Sequence, residues 1–332
     1  MSFEETGPRI PVTIATRVDK VSPASRTFST VRALVVVVLT IIGLIPIMVM
    51  GITAFKSRAD VVSVPPRIVF SPTMEGFVFL LTERSQLSAA QRAEMEASPP
   101  EGLGWMEEIA LQNGQQILGP SDYVTRLENS VIIAGVSTIA SVVLGLFAAY
   151  AFSRFNIGGK DDLLFFILST RMLPAVVVTI PLFIMYRQLR LHDTHIGMII
   201  LYTVFNLSFS VWLLKGFIDE IPREYEEAAL VDGYTRLQAF FKIVLPQAVT
   251  GIAATTVFCL IFAWNEYAFA LMLTSDTART APPSIATMLG RGGIEWSAIA
   301  AGSLGFLIPV VIVTFALRKY LLRGVTFGAV RQ

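Results

Sequence analysis

Residues 221–246 read Ile221-Pro222-Arg223-Glu224-Tyr225-Glu226-Glu227-Ala228-Ala229-Leu230-Val231-Asp232-Gly233-Tyr234-Thr235-Arg236-Leu237-Gln238-Ala239-Phe240-Phe241-Lys242-Ile243-Val244-Leu245-Pro246. Two short helices are legible here. Pro222 suits the first turn of a helix, where its missing N–H costs nothing. The residues that follow are good helix formers, and Glu224, Glu226 and Glu227 lie toward the positive end of the helix dipole. Gly233 is the expected stop. A second segment, 237–245, carries an apolar face of Leu237, Phe240, Phe241, Val244 and Leu245, and Pro246 follows it. Two short helices with a glycine elbow make a rigid knob that a second protein could grip. Without such a partner, Phe240 and Phe241 are expected to lack cover.

Outward from the knob, the chain turns apolar. Of its 332 residues 54% are hydrophobic and 15% charged, against about 25% charged in a soluble domain, so it cannot cover a water-facing surface. Six runs are long enough, at about 20 mostly apolar residues, to cross a bilayer: 33–55, 131–152, 163–186, 196–214, 248–273 and 297–317. The first follows Arg32 but is too long for a signal-peptide core, and no small-residue cleavage site follows it, so it reads as an anchor. The fold class is therefore all-α integral membrane, with six transmembrane helices. The organisation expected is an N-terminal segment 1–32, a first span 33–55, an external loop or cap 56–130, a core 131–317 containing the loop 215–247, and a tail 318–332.

Six spans place both termini on one side. On that side, segments 1–32, 153–162, 215–247 and 318–332 hold fifteen Lys/Arg and eleven Asp/Glu. On the other side, 56–130, 187–195 and 274–296 hold ten and thirteen. The excess of basic residues predicts cytoplasmic termini, although the rule discounts the long 56–130 segment. In that segment Ser88-Ala89-Ala90-Gln91 has capping-box spacing and predicts a short helix, which Pro99, Pro100, Gly102 and Gly104 then break. It reads either as a solvated loop with a helical turn or as a small external cap that docks a partner.

Several chemistries are excluded. A net charge of +1 argues against nucleic-acid binding through phosphates. The single cysteine, Cys259, rules out an intramolecular disulfide framework and a Cys-rich metal site. Two histidines, His192 and His195, leave little for zinc or His-based catalysis, so no catalytic or metal-binding residues are expected. No G-x-x-x-x-G-K-[ST] motif occurs, so ATP would have to be held by another polypeptide.

Ionisable residues inside apolar spans are functional candidates, and two occur. Counted along straight helices, Arg171 and Glu266 differ in depth by roughly 15 Å, which predicts separate roles. Asn206 falls at the depth of Arg171. Trp264, Asn265, Glu266 and Tyr267 combine an aromatic face with hydrogen-bonding groups suited to sugar hydroxyls; the plainer reading is interfacial anchoring and helix-to-helix hydrogen bonds. For Arg171, a structural role beside a Pro174 kink stands next to substrate contact.

At Glu227-Ala228-Ala229, with Gly233, Ile243, Leu245 and Pro246 following at set spacing, the chain resembles the membrane-spanning permease subunit of bacterial ABC importers. Asp232 before the glycine is usual for the sugar-importing branch. Ala149-Tyr150-Ala151-Phe152-Ser153-Arg154-Phe155, Arg171-Met172-Leu173-Pro174, Trp264-Asn265-Glu266 and the ending 323–330 are similar to the maltose-type second permease. The resemblance covers about 30–331, except that 56–130 is longer than that subunit leads one to expect.

The resemblance implies the type I ABC importer fold with a cytoplasmic coupling-helix loop, here with an enlarged periplasmic segment. It implies a multi-pass subunit of the bacterial inner membrane, forming half of a sugar-import pore. The implied partners are a cytoplasmic ABC ATPase dimer that binds ATP and Mg, a second homologous permease, and a periplasmic solute-binding protein; the chain itself needs no cofactor. Coupling to the ATPase falls to Glu226, Glu227, Ala228, Ala229, Asp232, Gly233, Ile243, Leu245 and Pro246, where small alanines allow close approach and carboxylates can meet Arg or Lys. The substrate-path candidates are Arg171, Met172, Asn206, Trp264, Asn265, Glu266 and Tyr267. Rival readings are an importer of the same architecture for amino acids or phosphate, and an ion-coupled secondary transporter, which predicts an inverted internal repeat.

Overall fold

A computed structural model describes residues 23–97, 102–290 and 293–327. Pro99, Pro100, most of the N-terminal segment 1–32 and the last residues of the tail 318–332 lie outside them. The chain forms two units, Met1–Val49 and Met50–Gln332. The described part of the first belongs to α1 (Pro23–Ala54), whose apolar side chains are exposed from Phe28 to Val49, as on a helix that faces lipid.

The second unit continues with α2 (Arg58–Val61), α3 (Glu75–Leu81), β1 (Thr82–Gln86), α4 (Ala89–Ala97), α5 (Trp105–Gln112) and β2 (Gln115–Pro120). Strands β1 and β2 pair antiparallel with a bulge at Glu83/Arg84. Ser88 and Gln91 close the reciprocal cap at the start of α4: the Ser88 N–H donates to Gln91 Oε1 (2.9 Å) and the Gln91 N–H to Ser88 Oγ (3.3 Å). In this layer Val78 and Phe79 pack with Met106, Ile109 and Ile117, and the same cluster takes in Ala298 and Met288 from the C-terminal part of the chain. Arg84 lies over the Phe79 ring at 3.5 Å. Burial pushes its guanidinium down to about 10, against the pull of Glu295 and Glu75. Burial likewise raises the Glu75 carboxyl, although the Arg58 N–H works the other way.

Then come α6 (Tyr123–Arg154), α7 (Lys160–Ser169), a 3₁₀ turn (Thr170–Met172), α8 (Ala175–Gln188), α9 (His195–Asp219), α10 (Arg223–Val231), α11 (Arg236–Ala239), a π-helical turn (Phe240–Val244) and α12 (Leu245–Gln247). The unit closes with α13 (Val249–Trp264), α14 (Ala268–Leu273), α15 (Ala281–Ala286), a two-residue pairing of β3 (Leu289–Gly290) with β4 (Gly293–Ile294), and α16 (Trp296–Phe327). Among the described residues, four helices are long and apolar enough to cross a membrane: α1, α6, α9 and α16. Two bent pairs bring the number to six if each is one span.

The bends have local causes. Between α7 and α8 the chain turns by 93°, because Pro174 keeps Leu173 extended (φ −70°, ψ 126°). The α11–α12 stretch meets α13 at 74°. The expected run 248–273 is also interrupted, since helix gives way at Asn265 and restarts as α14.

Helices α6 and α9 form the central pair, with α13 packed on both. Their approach depends on Gly145: a Cβ there would lie 2.4 Å from Ser210 Oγ and 2.7 Å from its Cβ. Gly145→Val is expected to lower stability by about 2–3 kcal/mol through overpacking, read as a fall in Tm of the detergent-solubilised protein; an unchanged Tm contradicts the close packing.

Candidate functional site

The knob is built from local rules. Helix α10 ends in a Schellman turn: the Tyr234 N–H bonds Ala229 O (3.0 Å), the Gly233 N–H bonds Leu230 O (3.1 Å), and Gly233 has φ +88°, which glycine adopts without strain. Thr235 and Gln238 then cap α11 reciprocally, as the Thr-x-x-Gln spacing allows. Pro246 does not end the second helix but sits in the first turn of α12, after the π-helical turn.

One side of α10 is fixed to the C-terminal end of α6. The Glu226 carboxylate accepts from the Tyr150 hydroxyl (2.8 Å) and pairs with Arg154 Nε. Both charged side chains are buried, Arg154 at 5% and Glu226 at 9% exposure. Arg154 Nη2 donates to Ile221 O (2.9 Å), and Arg223 Nη2 to Ser153 O (2.6 Å). Glu226, expected to face a partner, therefore faces the chain's own span. Phe240 is likewise covered from within, with the Tyr150 and Phe147 rings 4.7 and 5.4 Å away, while Phe241 remains exposed. The other side of the knob is open: Glu227, Ala228, Asp232, Gly233 and Pro246 are exposed, Ala229 is buried, and Ile243 and Leu245 are partly covered. Glu227, Arg223 and Arg236 border a cleft of about 200 Å³ beside it.

Among the substrate-path candidates, the structure brings Arg171, Asn206 and Glu266 to one cavity of about 470 Å³. The straight-helix count separates Arg171 from Glu266. Both lie at breaks in their helices, Arg171 in the 3₁₀ turn and Glu266 just before α14. They form no ion pair with each other. Arg171 donates to Phe205 O (3.1 Å) and lies over the Phe262 ring at 4.4 Å. Glu266 accepts from the Tyr202 hydroxyl (2.7 Å) and the N–H groups of Phe269 (2.9 Å) and Ala270 (3.0 Å). Asn206 is buried and donates to Cys259 O (3.1 Å).

The other candidates do not line this cavity. Trp264 stacks on Phe306 at 4.8 Å and donates its indole N–H to Phe306 O. Met172, Asn265 and Tyr267 are exposed outside it. Tyr202 does line it, and its position four residues before Asn206 on the same helix face is a signal that was there to find.

Long apolar helices, two bent helix pairs and an exposed two-helix knob fixed to α6 are the features of a membrane-embedded subunit. Residues 141–327, more than half of the chain, match the binding-protein-dependent transport system inner membrane component family, and the chain belongs to it. The chain is 30% identical over 294 residues to a probable ABC transporter permease protein of Sinorhizobium fredii, spanning 89% of this chain and 92% of that one. It is 35% identical over 226 residues to the trehalose transport system permease protein of Mycobacterium tuberculosis, spanning 67% and 82%. It is 34% identical over 207 residues to the trehalose/maltose transport system permease protein of Thermococcus litoralis, spanning 62% and 74%. In fold it is similar to a chain of a bacterial ABC transporter involved in alginate import, with TM-score 0.62, 21% identity, and 90% and 98% of the two chains covered. The fold is that of the type I ABC importer permeases, a family of transport subunits rather than enzymes.

Proposed function

We propose that this chain forms half of the pore of an ATP-driven importer of a sugar or sugar derivative, and converts the closing of a separate ATPase dimer into alternating access. The observation that carries the reading is the two-faced knob: one face is fixed to α6 through Glu226, and the other presents Glu227, Ala228 and Asp232 outward. The ATPase dimer, with its ATP and Mg, grips the open face from the cytoplasm, where both termini also lie. A second homologous permease completes the pore, and a periplasmic binding protein delivers the sugar from the side of residues 56–130. Relatives named for trehalose and maltose support a sugar cargo. In the membrane, the cavity offers Arg171, Asn206 and Glu266 among Phe205, Phe262 and Phe269, a mix of polar groups and ring faces that suits a sugar.

The test is uptake by the complete complex in liposomes, with labelled trehalose and maltose as probes. Uptake is expected to require ATP inside and to rise with the loaded binding protein. Glu227→Lys, which reverses a charge at the proposed interface, is expected to cut the ATPase recovered with the permease by about tenfold. Uptake that survives loss of the ATPase and follows an ion gradient overturns the reading.

A further inference from the structure

We infer that α6 is the rod that carries movement of the knob across the membrane to the segment 277–284, the end of a loop and the start of α15, with Glu226 and Arg154 as positioning residues at one end and Asn129 at the other. The inference rests on the proposed coupling role of the knob.

At the knob end, α10 cannot shift without taking α6 along. The Arg154–Glu226 pair is buried, so separating it would strand an uncompensated charge, unlike an exposed pair, which parts at little cost. Tyr150, Arg223 and the packing of Phe240 on Tyr150 tie the same two elements. Ser153 Oγ also donates to Asp219 Oδ1 (2.5 Å), which joins the end of α9 to the same point.

At the far end, α6 grips a different part of the chain. The Asn129 amide donates to Thr277 O (2.9 Å) and Arg279 O (3.0 Å), and its oxygen is 2.7 Å from His195 Nε2. Ser130 Oγ accepts from the Ala281 N–H (2.8 Å), and Arg126 Nη1 donates to Ser284 Oγ (3.0 Å). Asn129 and Tyr150 are about 32 Å apart at 1.5 Å per residue, roughly the thickness of the hydrocarbon core. Between them α6 is unbroken and holds no proline. The two bent spans can absorb a displacement at their breaks, at Leu173–Pro174 in one and at Ala248 in the other. An unbroken helix gripped at both ends transmits it.

The experiment measures sugar imported per ATP hydrolysed in the complete reconstituted complex, with trehalose or maltose as the probe. This ratio is insensitive to the fraction of complex that folds, because inactive complex drops out of both rates. Glu226→Gln and Asn129→Leu are each expected to lower it by about tenfold, within the usual range of a coupling free energy. Both variants cut the same rod, so the double variant is expected to fall no further than the worse single. Should Glu226→Gln fail to assemble, Tyr150→Phe removes one tie only and is expected to lower the ratio by about threefold. A ratio unchanged by either end, or a double effect equal to the product of the singles, overturns the rod. Wild-type complex that moves neither sugar with ATP overturns the proposed function instead.

Discussion

Arg154→Ala is expected to lower the Tm of the detergent-solubilised protein by about 10 °C. The substitution leaves the Glu226 carboxylate buried with only the Tyr150 hydroxyl as a side-chain partner and removes the donor to Ile221 O. Breaking a buried pair by deleting one member costs about 3–5 kcal/mol, and each kcal/mol lowers Tm by about 2–4 °C in a protein of roughly this size. Most of that loss is the burial penalty of the orphaned charge rather than the worth of the pair. The apolar double variant Arg154→Met with Glu226→Leu is therefore expected to recover most of the Tm. It is not expected to recover transport per ATP, since methionine and leucine slide past each other where the charged pair is fixed by directional bonds. A single variant as stable as wild type shows the pair to be dispensable for the fold. A double variant that restores both Tm and transport shows the pair to be packing alone.

The parts of this fold legible in the sequence are those set by local chemistry. The Schellman turn at Gly233 and the cap at Ser88 depend on a few neighbouring residues and are read from spacing. The apolar runs are read from composition, because a bilayer demands length and little else. What the sequence hides is the result of distant packing. Leu173–Pro174 announces a kink but not a 93° turn, and once the helix breaks, rise per residue no longer measures depth. Arg171 and Glu266 can then line one cavity although a straight count keeps them apart. The direction of α10 is hidden for the same reason. Glu226 and Glu227 look alike in sequence, yet Glu226 shares a face with Ala229, three residues on, and that face packs inward. Arg154, at the last turn of α6, is the partner that decides it. Trp264 and Asn265 are adjacent in sequence, but one is stacked on Phe306 and the other exposed, a division that only the path of α16 determines.

The loop that α6 grips is held a second time, and its loss is the other large effect expected. The Asp193 carboxylate accepts four backbone N–H groups: Ser275 (2.9 Å) and Ala278 (3.1 Å) on Oδ1, Asp276 (3.2 Å) and Thr277 (3.1 Å) on Oδ2. Such convergence of N–H groups favours an anion. Burial works to raise this carboxyl, but the four N–H groups outweigh it and hold it below its ordinary 3.8. Its folded pKa is thus below its unfolded one, so the stability it adds is fully present above the unfolded value and is lost as pH falls through the folded value. Asp193→Ala is expected to cost about 2–4 kcal/mol locally, because four donors lose a charged acceptor in a partly exposed site. Amide exchange at 275–278 should then quicken by about a hundredfold, while exchange in the middle of α6 is unchanged. In the wild type, protection of those amides, corrected for intrinsic rates, should stay level between pH 8 and about pH 5 and weaken only in stronger acid. Asp193→Asn tolerates the left-handed backbone at this position (φ +55°) and retains an acceptor without the charge, so its loss should be smaller and flat with pH. Equal protection in Asp193→Ala and wild type would mean that Asn129 and Ser130 hold the loop unaided.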